Sequence, residues 1–252
     1  AVCLGFLFLM TRKYEYFKTD RPKDHAVRSL IGTGGLILTY SALSMLTMSQ
    51  ATVFFFASSL ILPVLGVVIL KEYVGLPRWI AILIGFCGVI IASQPLGAVS
   101  VLGVFVALGA AFSHASVGIC LRWLGKTEDA LTTTFYFVLI GTLCLIPFLF
   151  FIDASVPASK IWMLIGVGLS GTLAQLFLTG AFKFADSAAI SPVTYTSLIW
   201  SVGFDMLIWN AFPSWTVMIG ATVIIGCNLY ILYRERKVKM AAEKCEQATA
   251  SS

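Results

Sequence analysis

Between Arg28 and Lys71 the chain carries no charged side chain for about forty residues. A soluble domain places roughly a quarter of its residues as charges along its surface elements. A gap of this length leaves room for two membrane-spanning helices of roughly 20 residues each. The remainder of the chain agrees: 59% of its 252 residues are hydrophobic, 12% are charged, and the mean hydropathy is +0.93. The expected fold class is therefore an all-α polytopic membrane protein. Eight full-length spans are legible, at about 30–49, 51–70, 79–95, 100–121, 131–152, 161–182, 188–209 and 214–233. Residues 1–10, "AVCLGFLFLM", rise only about 15 Å as a helix, half of a bilayer's hydrocarbon core. Their basic residues follow the apolar run instead of preceding it, the reverse of a signal peptide. They read as the truncated end of a helix that begins upstream.

Lys and Arg gather in cytoplasmic loops. With residues 11–29 inside and the spans alternating, only Lys160 of the seventeen Lys and Arg falls outside. The C-terminus is then cytoplasmic, and the expected location is a bacterial inner membrane. The net charge of +5 follows from this orientation. Neither a Gly-rich phosphate loop nor aromatic-basic interleaving is present, and no nucleic acid is expected as a partner. The six cysteines form no C-x-x-C pair, so neither a disulfide framework nor a metal site is indicated. The polar tail 234–252 is expected to be disordered.

Two stretches repeat a pattern. Residues 48–89 and 184–225 each contain a polar corner, a long apolar helix, a break with Pro and Trp, and a Gly-bearing helix. At an offset of 136, Trp79 meets Trp215. Such internal symmetry is typical of secondary transporters. At these residues the chain resembles the drug/metabolite transporter superfamily, specifically its EamA branch. "LKEYVGLPRWIAILIGFCGVIIASQP" is similar to the first-repeat signature of that family, and "SPVTYTSLIWSVGF…PSWTVMIGATVIIGCNLYILYRER" to the second. The resemblance implies inverted five-helix repeats, ten helices in all, with a first repeat in 1–95 (N-terminally incomplete) and a second in 96–233. One departure stands out: Ala211 of "NAFP" takes the place of a Glu frequent in relatives.

Candidate site residues lie on polar stripes. In "FADSAAISPVTYTSLIWSVGFD", residues 184–205, Ser187, Ser191, Thr194, Ser201 and Asp205 share roughly 80° of a helix, interrupted by Leu198. Tyr195 flanks this stripe, and Trp200 further round is assigned to packing. On 30–49, Thr33, Tyr40, Ser44 and Thr47 share a face, and on 161–182 so do Thr172, Gln175 and Thr179. Stripes of this kind serve either close helix packing or a polar pathway. Gly103, Ala107, Ala110 and His114 make one narrow face, on which His114 is either a packed structural residue or part of a substrate route. Asp205 is the only acid well inside a span. Intramembrane acids are costly and mark ion or substrate paths by default, so Asp205 is the candidate proton-coupling residue, with a structural role equally open.

The expected function is secondary transport of a small organic metabolite, such as an amino acid or derivative, by alternating access, with protons as a coupling partner. The alternatives are a non-transporting membrane scaffold and an intramembrane enzyme. The sequence contains no H-E-x-x-H, no G-x-S-x-G and no Walker-type loop. No enzymatic activity and no cofactor are expected. The expected partners are the metabolite, the lipid bilayer and a monomeric or homodimeric assembly.

Overall fold

The computed structural model describes residues 19, 21–71, 75–93, 100–125, 127–150, 158–184 and 195–250. In order, its helices are α1 (Pro22–Met45), α2 (Met48–Phe55), α3 (Ala57–Leu70), α4 (Leu76–Ser93), α5 (Val101–Leu124), α6 (Ala130–Leu145), α7 (Ile161–Phe184), α8 (Thr196–Trp209) and α9 (Trp215–Ala250). Short 3-10 turns occupy Ile146–Phe150 and Ala158–Lys160. Among the described residues, seven helical stretches are long and apolar enough to cross a membrane, counting α2 and α3 as one, and α8 is a shorter apolar helix. Large apolar side chains lie open on their outer faces: Leu207 is 85% exposed and Trp215 is 82% exposed. Lipid, in which helices satisfy their own backbone groups, accepts such faces where water would not. The chain is a multi-pass, all-helical membrane protein.

Several boundaries differ from the expected spans. α1 starts at Pro22, well before residue 30. Proline suits the first helical position, where its missing N–H would have had no partner, and Asp24 in the first turn complements the helix dipole. The expected span 51–70 is divided at Phe56, whose carbonyl accepts Ser59 N at 3.1 Å and Asn228 Nδ2 at 3.5 Å. α6 gives way to a 3-10 turn at Ile146–Phe150, where Pro147 removes a helical donor. The span expected at 188–209 is described only from Tyr195, and the expected truncated helix 1–10 lies outside the described residues. The tail, expected to be disordered, continues α9 through Ala250. "VKMAAEKCEQA" is rich in Ala, Lys, Glu, Met and Gln, the stronger helix formers.

The contacts divide the chain into two compact units, interleaved along the sequence. The first contains residues 1–34 and 117–185. Within it α1 and α6 meet closely: a Cβ on Gly32 would lie 2.7 Å from the Phe137 ring, and one on Gly141 would lie 2.8 Å from Thr33 Oγ1. Thr134 Oγ1 donates to Thr179 Oγ1 at 3.3 Å, tying α6 to α7.

The second unit contains residues 35–116 and 186–252. Its core gathers small, branched and aromatic side chains, among them Ala51, Val53, Phe54, Leu60, Ile82 and Ile224. α4 and α9 touch backbone to backbone where Gly88 faces Gly220, so that a Cβ on Gly220 would lie 2.6 Å from Gly88 O. Small residues permit such approaches and give membrane helices their dispersion contacts.

Helix α3 ends on Lys71 in the left-handed region, at φ 54° and ψ 33°. A side chain there costs about 1–2 kcal/mol, which glycine avoids. Lys71→Gly is expected to raise stability by about 0.5–1 kcal/mol after its larger unfolded-state entropy is counted. Detergent-titration unfolding would measure this.

Candidate functional site

Asp205 sits on α8, is only 3% exposed, and uses both carboxylate oxygens on another helix. Oδ1 accepts Met48 N at 3.0 Å and Oδ2 accepts Ser49 N at 2.7 Å. These are two of the four backbone donors that the start of α2 cannot satisfy internally. The other two are satisfied locally by a capping box: Gln50 N donates to Thr47 Oγ1 at 3.3 Å, and Thr47 N donates to Gln50 Oε1 at 3.2 Å. The first turn of α2 is thus complete only with the carboxylate from α8. A negative group at a helix N-terminus is also favoured by the helix dipole. The Asp205 carbonyl in turn accepts the N–H groups of Asn210 and Ala211, which closes the end of α8. One residue therefore joins a helix start to a helix end.

Tyr195 and Ser201 belong to the same unit. Tyr195 is buried edge-on against Phe56, with ring centroids 5.1 Å apart. Ser201 is buried and donates to Leu198 O at 3.0 Å, so its hydroxyl is spent within its own helix. Trp200, assigned to packing, is largely exposed and tilts over Phe204. Ser187, Ser191 and Thr194 lie outside the described residues.

His114 pairs with Thr39 across α1 and α5 at 3.2 Å between Nε2 and Oγ1. The Thr39 hydroxyl has one hydrogen and directs it to Gly35 O at 2.7 Å. In the pair the imidazole is then the donor, through Nε2–H. Phe55 meets the ring edge-on at 5.7 Å. The narrow face on which His114 lies is packed, with Ala107 and Ala110 fully buried and Gly103 against Leu46. The stripe on α1 spreads apart. Tyr40 and Ser44 are exposed, Ser44 donates back to Ser41 O at 2.8 Å, and Thr47 serves as the cap of α2.

In the first unit Thr33 and Thr179 are buried, while Thr172 and Gln175 are half-buried. Thr172 and Thr179 bond back to the carbonyls of Gly168 and Gln175 at 2.7 and 2.8 Å, which leaves their oxygens as acceptors.

Sequence reasoning missed a cluster at the start of α1, because it placed residues 11–29, His25 and Arg28 among them, in a cytoplasmic loop. His25 and Arg28 have no exposed surface. His25 stacks on Tyr136 at 4.8 Å, with Nε2 3.7 Å from Glu128 Oε2. Thr19 Oγ1 donates to Glu128 Oε1 at 2.9 Å. Arg28 lies over the Phe137 ring, its Cζ 4.2 Å from the centroid. The available signal was spacing: positions 25, 28, 29, 32 and 33 share one helical face. No group of His, Cys, Asp and Glu among the described residues is arranged to hold a metal ion.

Several known proteins resemble the chain. An S-adenosylmethionine uptake transporter of Rickettsia conorii is 29% identical over 220 residues, 87% of this chain and 75% of that one. A riboflavin transporter of Vibrio cholerae is 30% identical over 173 residues, 67% of this chain and 57% of the relative. The pseudopaline exporter CntI of Pseudomonas aeruginosa is 25% identical over 206 residues, 80% of this chain and 72% of the relative. A solved crystal structure of a protein shares the fold with a TM-score of 0.65 at 16% identity, over 94% of this chain and 84% of that one. The sequence pattern of the EamA-like transporter family matches residues 1–94 and 101–233. The chain belongs to the EamA-like transporter family.

Proposed function

We propose that the protein is a secondary transporter that moves a small organic metabolite across the cytoplasmic membrane by alternating access. The family match over residues 1–94 and 101–233 carries this reading. The relatives support it, since their names assign uptake of S-adenosylmethionine, transport of riboflavin and export of pseudopaline. All three are organic molecules that need a polar route through lipid. The two matched segments also support reading 1–95 and 96–233 as the repeat units. Candidates for the substrate route are Tyr40, Ser44, His114, Thr172, Gln175, Thr179, Ser191, Thr194, Tyr195 and Ser201.

Asp205 remains the residue through which a proton would act, with a mechanism that its geometry supports. As a carboxylate it accepts two backbone N–H groups. Protonation turns one acceptor oxygen into a donor, which releases one of those N–H groups and loosens the α2–α8 corner. A proton would thereby change how firmly two helices are joined.

Counterflow in proteoliposomes tests the function. Vesicles loaded with an unlabelled cell extract should exchange at least one labelled metabolite faster than protein-free vesicles. Exchange equal to that of empty vesicles for every metabolite would reject transport. Orientation has its own test in a cysteine-free background. In intact cells, Asp153→Cys should react with a membrane-impermeant thiol reagent and Ser252→Cys should not, because Lys and Arg favour the cytoplasmic side and the tail is rich in them. The opposite labelling pattern would invert the topology.

A further inference from the structure

Arg28 is buried in a membrane-spanning helix, and among the described residues its Nε, Nη1 and Nη2 atoms have no hydrogen-bond partner. A guanidinium does not shed its proton, so the charge persists. Phe137 covers one face, and a ring face replaces only part of the hydration that burial removes. Among the described residues, the nearby carboxylates do not serve it. Glu128 is held by Thr19 and faces His25, and Asp24, one turn earlier on α1, forms no ion pair with Arg28. Elsewhere on α1, His25 Nδ1 and Thr33 Oγ1 also lack hydrogen-bond partners among the described residues, while His25 Nε2 has Glu128 Oε2 at 3.7 Å. A buried charge with nothing opposite it is strongly unfavourable. In a membrane helix such a residue marks a substrate or ion position.

We propose that Arg28, with His25 one turn before it on α1, is the binding position for a carboxylate group of the transported metabolite. The in-plane edge of a guanidinium presents paired donors that match a carboxylate bidentately. A single cation matches a single negative charge, which favours a carboxylate over a doubly charged phosphate. Phe137 lies 4.2 Å from Arg28 Cζ and takes up none of the guanidinium N–H donors. Arg28 is closed to solvent in this structure, so the ligand reaches it as the surrounding helices part, a movement that alternating access requires. The inference rests on the transport reading and narrows its substrate class.

The test uses the full chain in phosphatidylcholine nanodiscs and thermal unfolding, which needs no transport assay. Without metabolite, Arg28→Met should unfold at a higher temperature than wild type, because a buried charge with no hydrogen-bond partner among the described residues is gone. A lower unfolding temperature, or a variant that does not fold, would make Arg28 a structural residue and overturn the proposal. A panel of amino acids, S-adenosylmethionine and other carboxylates is then added, each beside its methyl ester. At least one acid should stabilise wild type by several degrees, with its ester without effect. The same acid should not shift Arg28→Met, and it should bind Arg28→Lys at least ten-fold more weakly, since the ammonium lacks the fork. Asp24→Asn should retain the acid's effect. A shift shared by acid and ester, or one that survives Arg28→Met, overturns the proposal. So does the absence of any shift from every carboxylate, even where vesicles exchange a neutral metabolite and the transport reading stands. A final arm adds phosphatidylglycerol. Arg28-dependent stabilisation by that lipid, with none by any metabolite, would assign the position to a lipid headgroup instead. Carboxylate binding without vesicle exchange would retain the site and remove the transporter.

Discussion

Replacing Asp205 with alanine should cost about 3–5 kcal/mol of stability, because two backbone N–H groups at the start of α2 lose a charged acceptor worth about 1.5–3 kcal/mol each. The bonds are short, 2.7 and 3.0 Å, and Ser49 and Asp205 are both buried, so water cannot readily replace the carboxylate. Net stabilities of folded proteins are about 5–15 kcal/mol, and a loss of this size is visible in yield and in detergent-titration unfolding. Asp205→Asn retains one acceptor oxygen and gains an amide donor, so its cost should be about half. At equal folded amounts in proteoliposomes, Asp205→Asn should still exchange metabolite and should lose accumulation driven by a pH gradient. Wild-type unfolding of Asp205→Ala would mean that the carboxylate does not hold the corner. Unchanged pH-driven accumulation by Asp205→Asn would confine the residue to structure.

Gly220→Leu should abolish the folded protein. At Gly220 a Cβ would lie 2.6 Å from the Gly88 carbonyl oxygen, 2.7 Å from Ala92 Cβ and 2.8 Å from Ala92 N. Two of these are backbone atoms of α4, which move only if the helix moves. Overpacking a tight contact costs about 1–3 kcal/mol even for small additions, so Gly220→Ala should already lower the unfolding midpoint. The three further carbons of leucine would force α4 and α9 apart. Gly226 on the same helix provides the control, since a Cβ there meets nothing within 4 Å. Gly226→Ala should be neutral or gain up to about 1 kcal/mol from helix propensity. Equal behaviour of the two alanine variants in the detergent titration would show that the crossing is looser than the distances indicate.

The opening stripe shows how far helical periodicity reaches. Its spacing put Ser201 and Asp205 on one face, and both are buried, yet they do unlike things: Ser201 bonds within its own helix, while Asp205 bonds the backbone of Met48 and Ser49. Periodicity reports which side chains share a face. It says nothing of what stands opposite, because that neighbour comes from a segment more than 150 positions away. His114 repeats the point. Its narrow face of small residues was readable as close packing, but the Thr39 hydroxyl that meets its ring is separated from it by 75 positions. Arg28 was misplaced for a related reason. A basic residue beside a charged loop counts as a loop charge until Pro22 is seen to start the helix six residues earlier.

The sequence by itself determined the class of the molecule. A long uncharged run and repeated apolar segments leave the backbone only helices as a way to satisfy its polar groups in lipid. It also carried the signature of the family, because local turn and glycine patterns are written in consecutive residues. Tertiary structure alone decided which polar residues are spent on holding the fold and which are left over. Asp205 is engaged on α2, His114 on Thr39, and Arg28 is left without a hydrogen-bond partner among the described residues. Hydrogen bonds and ion pairs act over about 3–4 Å between chain segments far apart in sequence. Only folding sets those distances.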